Sequence, residues 1–133
     1  MGAVMKTILI IDDDKEVLDI TKIRLQKHGY RVLVAQNGEE GLIQAYQEKP
    51  NLILLDITMP GKDGFAVLKE LKGSDITWNI PIFMLTAKSE TSSMIDSQNC
   101  RATDYFIKPF NWEELLRNIR KSIEMTSEND LSL

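Results

Sequence analysis

The sequence predicts a parallel α/β fold, and three observations carry that prediction. Short apolar runs alternate with segments of helical periodicity along the chain. Ile8-Leu9-Ile10-Ile11 and Leu52-Ile53-Leu54-Leu55 are unbroken aliphatic stretches, as strands buried on both faces require. Both stretches end in carboxylates, Asp12-Asp13-Asp14 and Asp56, as though the apolar layer stopped at one polar edge.

Thr7 to Ile11 forms the first strand and leads into a helix opened by Asp14, running through Val17, Leu18, Ile20, Ile23 and Leu25 to a Gly29 cap. Tyr30 to Ala35 is a second strand, and Asn37 caps a helix carrying Leu42, Ile43, Ala45 and Tyr46. Pro50 separates that helix from the strand Leu52 to Leu55, which delivers Asp56. Thr58 to Gly64 has the Pro and Gly content of an exposed loop, after which Phe65, Val67, Leu68 and Leu71 resume helical spacing until Gly73-Ser74-Asp75 breaks it. The fourth strand, Ile80 to Leu85, ends at Thr86-Ala87, with Pro81 tolerated only near its start. Glu90 to about Asn99, rich in Ser, Thr and Asn, is expected to be a short or mobile fourth helix. Tyr105 to Ile107 is the fifth strand, ending in Lys108-Pro109. Asn111 then caps a fifth helix whose Trp112, Leu115, Leu116, Ile119 and Ile123 make one apolar stripe.

With 133 residues the chain suits one domain with a real core. Residues 1–5 read as an N-terminal extension, 6–124 as the folded domain, and 125–133 as a polar, frayed tail. Cys100 is the sole cysteine, which excludes an internal disulfide and a thiolate metal cluster. His28, also alone, sits beside Gly29 at a helix end, where a solvated or satisfied side chain is the ordinary outcome. The net charge of −4 comes without a basic stripe, so direct nucleic acid binding by this chain is not expected. No apolar stretch reaches membrane-spanning length and no signal segment opens the chain; a cytoplasmic location is the expectation.

Function in an open parallel sheet gathers outside the carboxyl ends of its strands. Those ends are, in chain order, Asp12-Asp13, nothing reactive, Asp56, Thr86 and Lys108. Together they suit a phosphoryl-accepting site. Asp56 would be the carboxylate nucleophile, Asp12 and Asp13 would hold Mg²⁺, and Thr86 and Lys108 would bind phosphoryl oxygens. A hard cation wants oxygen donors, and the backbone carbonyl of Thr58 offers a further one. A cis bond before Pro109 would hold the loop after Lys108 in a fixed turn. The plainer reading leaves Asp14 as a helix cap, the other acids solvated, Thr86 a strand-end residue and Lys108 a surface cation.

These residues resemble the receiver domain of two-component response regulators, from about Lys6 to Ile123. Ile10-Ile11-Asp12-Asp13-Asp14 is similar to that family's acidic pair, Leu54-Leu55-Asp56-Ile57-Thr58-Met59-Pro60 to its phosphoacceptor segment, and Gly61-Lys62-Asp63-Gly64-Phe65 to the loop that follows. Met84-Leu85-Thr86-Ala87 and Asp104-Tyr105-Phe106-Ile107-Lys108-Pro109-Phe110 complete the set in order. The resemblance implies a three-layer, flavodoxin-like, doubly wound sheet of five parallel strands in the order 2-1-3-4-5 with five helices. It implies Mg²⁺-dependent transfer of a phosphoryl group to Asp56 from a histidine kinase or histidine phosphotransfer protein, with Mn²⁺ as a substitute ion. A regulatory domain that catalyses its own phosphorylation and dephosphorylation is implied, rather than an enzyme. It further implies that Thr86 moves toward the phosphoryl group and Tyr105 turns inward behind it, altering the face made by the fourth helix, fifth strand and fifth helix. A downstream protein or output domain would read that face, the chain being a monomer or a phosphorylation-dependent dimer. Arg101, where the family usually has Gly, and Gln98, where an apolar residue is common, depart from the pattern and suggest a loosened fourth helix.

Two other classes remain open at this point. Haloacid-dehalogenase-like phosphatases also combine an aspartyl phosphate, Mg²⁺, Thr or Ser and Lys, and Asp12-Asp13-Asp14 could imitate their paired acids; the Asp56 to Phe65 segment is then unexplained. A binding module that retains the fold without the chemistry is the other, against which the full residue set argues.

Overall fold

The structure is a computed structural model that describes residues 5–87 and 102–131. Its five strands are β1 (Thr7–Ile11), β2 (Arg31–Ala35), β3 (Leu52–Asp56), β4 (Ile82–Ala87) and β5 (Asp104–Lys108). They form a single sheet ordered β2-β1-β3-β4-β5 in which every neighbouring pair is parallel. Four helices are described: α1 (Lys15–Lys27), α2 (Gly38–Glu48), α3 (Gly64–Lys72) and α4 (Trp112–Leu131). The segment expected to supply a further helix, Glu90 to about Asn99, lies outside the described residues, as do Gln98 and Arg101. Helix α4 is therefore the fifth helix of the sequence reading.

The sheet is the middle layer because its aliphatic side chains leave alternately to both sides. On one side Ile8, Ile10, Leu52, Leu54, Phe83, Leu85 and Phe106 pack with Leu18 and Leu25 of α1 and Leu115, Ile119 and Ile123 of α4. On the other, Leu9, Ile11, Ile53, Leu55 and Met84 meet Leu42 and Ala45 of α2 and Val67, Leu68 and Leu71 of α3. Burial on both faces explains why β1 and β3 are continuous apolar runs rather than alternating ones.

Helix starts follow the short polar residues that precede them. The Asp14 carboxylate accepts from the Glu16 and Val17 amides, that of Asp63 from Ala66, and the side-chain carbonyls of Asn37 and Asn111 from Glu40 and Glu114. After α1, Gly29 takes φ +90, as its placement at the helix end requires. Lys49 closes α2 with φ 47, a left-handed conformation held by a residue that has a Cβ.

The structure departs from the sequence-based expectation in several places. Helix α4 continues to Leu131, so the stretch from Met125 expected to fray is helical as far as that residue. Strand β4 begins at Ile82, directly after Pro81, which has no amide hydrogen for the ladder. On α1 the buried line is Leu18, Thr21 and Leu25, while Ile20 and Ile23, expected to help carry the helix, are exposed on its flank. Among the described residues, no helix is long and apolar enough to cross a membrane.

A carboxylate pocket at the carboxyl edge of the sheet

Register brings the predicted residues together. Ile11 of β1 lies beside Leu55 of β3, so Asp12 and Asp56 leave neighbouring strands one step later. Asp56 is opposite Leu85 of β4, and Thr86 and Ala87 are opposite Ile107 and Lys108 of β5. Residues 12, 56, 86 and 108 thus share one edge although they span most of the chain. Donor oxygens of Asp12, Asp13 and Asp56 lie within 4.8 Å of one another, a spacing that could hold a metal ion.

The three carboxylates differ in surroundings. Asp12 is 1% exposed, its amide donates to the Ala35 carbonyl at 3.0 Å, and its Oδ1 accepts the Asp14 amide at 3.0 Å. Asp56 is 7% exposed, whereas Asp13 is open to solvent. The ammonium of Lys108 reaches over from β5, 3.1 Å from Asp12 Oδ2 and 3.6 Å from Asp56 Oδ1. The Lys108–Pro109 bond is cis.

Burial is the main reason the Asp56 carboxyl is pushed up to about 7, and the neighbouring Asp12 charge adds to it. Lys108 opposes the rise, Asp13 adds a smaller push, and the backbone N–H of Thr58 donates to the carboxylate and favours its ionised form. Burial by itself works to lower the Lys108 ammonium, yet the Asp12 and Asp56 carboxylates outweigh it and hold the group above its usual range. Among the described residues, Lys108 is the cation paired with these acids, and three carboxylates leave negative charge in excess of it. That excess, built of hard oxygen donors, is what a Mg²⁺ ion fits.

The loop between β3 and α3 runs directly beside Asp56. Ile57 and Met59 are buried in the core while Thr58 between them is exposed. The loop then folds back so that the Gly64 amide donates to the Ile57 carbonyl at 2.8 Å. A Cβ on Gly64 would collide with the backbone of Asp56 and Ile57, so only glycine permits this approach beside the carboxylate. The sequence places Gly64 at the end of an exposed loop, and its steric necessity emerges only with the contact.

Thr86 is 0% exposed at the end of β4. Tyr105 is half-buried against the core cluster that contains Met84, its partner in the β4–β5 register. Because side chains alternate along a strand, Thr86 and Met84 point to the same face, and Tyr105 packs on that face too. The pair expected to move together therefore shares one side of the sheet.

An open parallel sheet whose carboxyl edge gathers the buried Asp12 and Asp56 beside Lys108 defines an α/β protein with an acidic, cation-competent pocket. The family described as "Response regulator receiver domain" matches residues 8–120, and the chain belongs to it: this is a receiver domain of two-component response regulators. It is 40% identical over 122 residues to the "DNA-binding dual master transcriptional regulator RpaA" of Synechocystis sp., covering 92% of this chain and 51% of that protein. It is 37% identical over 125 residues to the "Phosphate regulon transcriptional regulatory protein PhoB" of Pseudomonas aeruginosa, covering 94% and 55%. The chain thus spans about half the length of these curated relatives. Among solved structures, a CheY-like receiver domain protein from Methanospirillum hungatei superposes with a TM-score of 0.85 at 32% identity, covering 95% of this chain and 99% of that one. The chemotaxis protein CheY4 of Vibrio cholerae does so with a TM-score of 0.81 at 30% identity, covering 90% and 99%. As a receiver domain the chain is a regulatory unit rather than a classical enzyme.

Proposed function

We propose that this domain is a phosphoacceptor switch in which Asp56 takes a phosphoryl group from the phosphohistidine of a histidine kinase or histidine phosphotransfer protein. The observation that carries the reading is the Lys108 ammonium placed between Asp12 Oδ2 and Asp56 Oδ1 beside the three-carboxylate cluster. A buried carboxylate oxygen of Asp56 attacks phosphorus, the P–N bond to the donor imidazole breaks, and an acyl phosphate forms on Asp56 while the nitrogen keeps the bonding pair. Asp12, Asp13, Asp56 and the Thr58 carbonyl would hold Mg²⁺, with Mn²⁺ as a substitute, and the ion would neutralise charge on the incoming phosphoryl oxygens.

The chain's own groups do the rest. Lys108 pairs with Asp56 before transfer and with a phosphoryl oxygen afterwards, a role for which a flexible ammonium is suited. The Thr86 hydroxyl moves to another of those oxygens, and Tyr105 turns inward on the same side of the sheet. The partner-binding face that includes β5 and α4 then changes, and a downstream protein or output domain reads it. Self-catalysed loss of the group, by water attacking the acyl phosphate, returns the switch to rest. The two named relatives are transcriptional regulators; for this chain a transcriptional output through a separate DNA-binding segment is the corresponding proposal, and the cytoplasm its setting.

Incubation with acetyl phosphate and Mg²⁺ tests the assignment by intact mass. One added phosphoryl group, absent without Mg²⁺ and absent in Asp56→Asn, is expected. Steady release of phosphate from small phosphomonoesters, abolished by Asp12→Asn but not by Asp56→Asn, would instead indicate a phosphatase.

A further inference from the structure

Outside the pocket, among the described residues, a cluster of charged groups surrounds Lys62, in the loop between β3 and α3. Its ammonium pairs with Glu39 in the first turn of α2, at 3.4 Å, and hydrogen-bonds Glu70 on α3. These partners lie far from each other in sequence, and the lysine side chain is only 25% exposed between them. The backbone fits there as closely as the charge does. A Cβ on Gly38, the first residue of α2, would sit 2.9 Å from the Lys62 carbonyl oxygen and 3.2 Å from the Lys62 Cβ. Both observations say that the tip of this loop is seated on α2 rather than merely near it.

The same loop touches the pocket through its Thr58 amide, which donates to the Asp56 carboxylate, and its near end is tied to the start of α3 by the Gly64 amide, which donates to the Ile57 carbonyl. Ile57 and Met59 anchor the near half in the core, whereas Pro60 and Gly61 are exposed and Gly61 takes φ +77. The far half depends on polar ties: Asp63 as the cap of α3, and Lys62.

We propose that Lys62 is a positioning residue, latching the loop between β3 and α3 to α2 and α3 through Glu39 and Glu70 and so holding Thr58 in place beside Asp56. This rests on the phosphoacceptor reading for its consequence, since a loosened loop would present the Thr58 backbone poorly to both the ion and the carboxylate. The latch itself is a property of the metal-free chain. Lys62 touches no reacting atom.

Amide hydrogen exchange at Gly64 reads the latch directly, without ion or phosphoryl group. In Lys62→Gln that amide should exchange about 1.4-fold to fivefold faster, the range expected for loss of a surface ion pair, with amides of β1 unchanged. Lys62→Arg should restore the slow rate, and raised salt should speed exchange in the wild type but not in Lys62→Gln. The Mg²⁺ concentration for half-saturation, followed by calorimetry, should rise by a similar factor in Lys62→Gln. Equal Gly64 exchange in wild type and Lys62→Gln, or a change shared equally by the β1 amides, would overturn the latch. Altered Gly64 exchange with an unaltered Mg²⁺ midpoint would overturn its role at the pocket. A wild-type protein that takes up no Mg²⁺ would strike at the phosphoacceptor reading instead, leaving the exchange result to judge the latch alone.

Discussion

Asp56 sets the pH behaviour of the metal-free protein. Its carboxyl titrates near 7 when folded against a usual value of 3.8, so between those values the native state holds a proton that the unfolded chain has released. Stability from this group is complete below about pH 4 and is lost as pH rises through about 7. Without Mg²⁺, Asp56→Asn should therefore be more stable than wild type at about pH 8, by on the order of 3 kcal/mol, and the difference should vanish toward about pH 4. Paired urea titrations at the two pH values check it; an equal difference at both would contradict the burial argument. Adding Mg²⁺ at the higher pH should stabilise the wild type, by about 1.4 kcal/mol for each tenfold excess over its dissociation constant, and leave Asp56→Asn unmoved. Lys108 presents the opposite case. Lys108→Ala leaves the buried Asp12 and Asp56 without their cation and should cost on the order of 3 kcal/mol at about pH 8, less under acid conditions where Asp56 is protonated.

At the scale of elements, the loop into α3 and the end of α2 make contrary predictions about glycine. Gly64→Ala drives a methyl group into the Asp56 backbone and should destabilise by several kcal/mol, on the order of 3, by urea unfolding. Lys49→Gly should stabilise by about 1 kcal/mol, because the left-handed cap of α2 no longer carries a side chain; a Tm below that of the wild type would refute that account. Elements also show what the sequence made legible. The aliphatic runs located β1 and β3 because they are short, rich in Ile and Leu and continuous, as strands buried on both faces require, and Asp14, Asn37 and Asn111 each marked a helix start through a local side-chain-to-amide bond. Local chemistry leaves local traces. The exposure of Ile20 and Ile23 left none, since an apolar residue on the flank of α1 reads the same as one in its buried line. Nor did the extension of α4 to Leu131, since the polar composition of the tail carries no apolar stripe to mark helix continuity. The Lys62 ties to Glu39 and Glu70 were equally hidden, being contacts between charges whose separation in sequence carries no periodic signal.

Across the whole molecule, topology does most of the functional work. Strand order β2-β1-β3-β4-β5 places β3 at the centre with β1 and β4 beside it, so residues from distant parts of the chain meet at one edge without any one loop having to reach far. The pocket was legible in the sequence as a list of strand endings; the two ammonium distances and the unequal burial of Asp12 and Asp13 required the packed sheet. Phosphorylation can favour an active arrangement only by the difference in its interaction with the two states, and about 3 kcal/mol would move their balance about a hundredfold. Phosphorylated protein should accordingly show altered amide exchange along β4 and β5, around Thr86 and Tyr105, with β2 unaffected. No change there relative to Asp56→Asn treated alike would contradict the coupling. The central claim is that the acyl phosphate forms on residue 56. Borohydride reduction of the protein after acetyl phosphate and Mg²⁺ converts an aspartyl phosphate to homoserine, which peptide mass spectrometry locates. Homoserine at position 56 alone is the predicted result; homoserine at position 12 or 13, or none with Mg²⁺ bound, would contradict it.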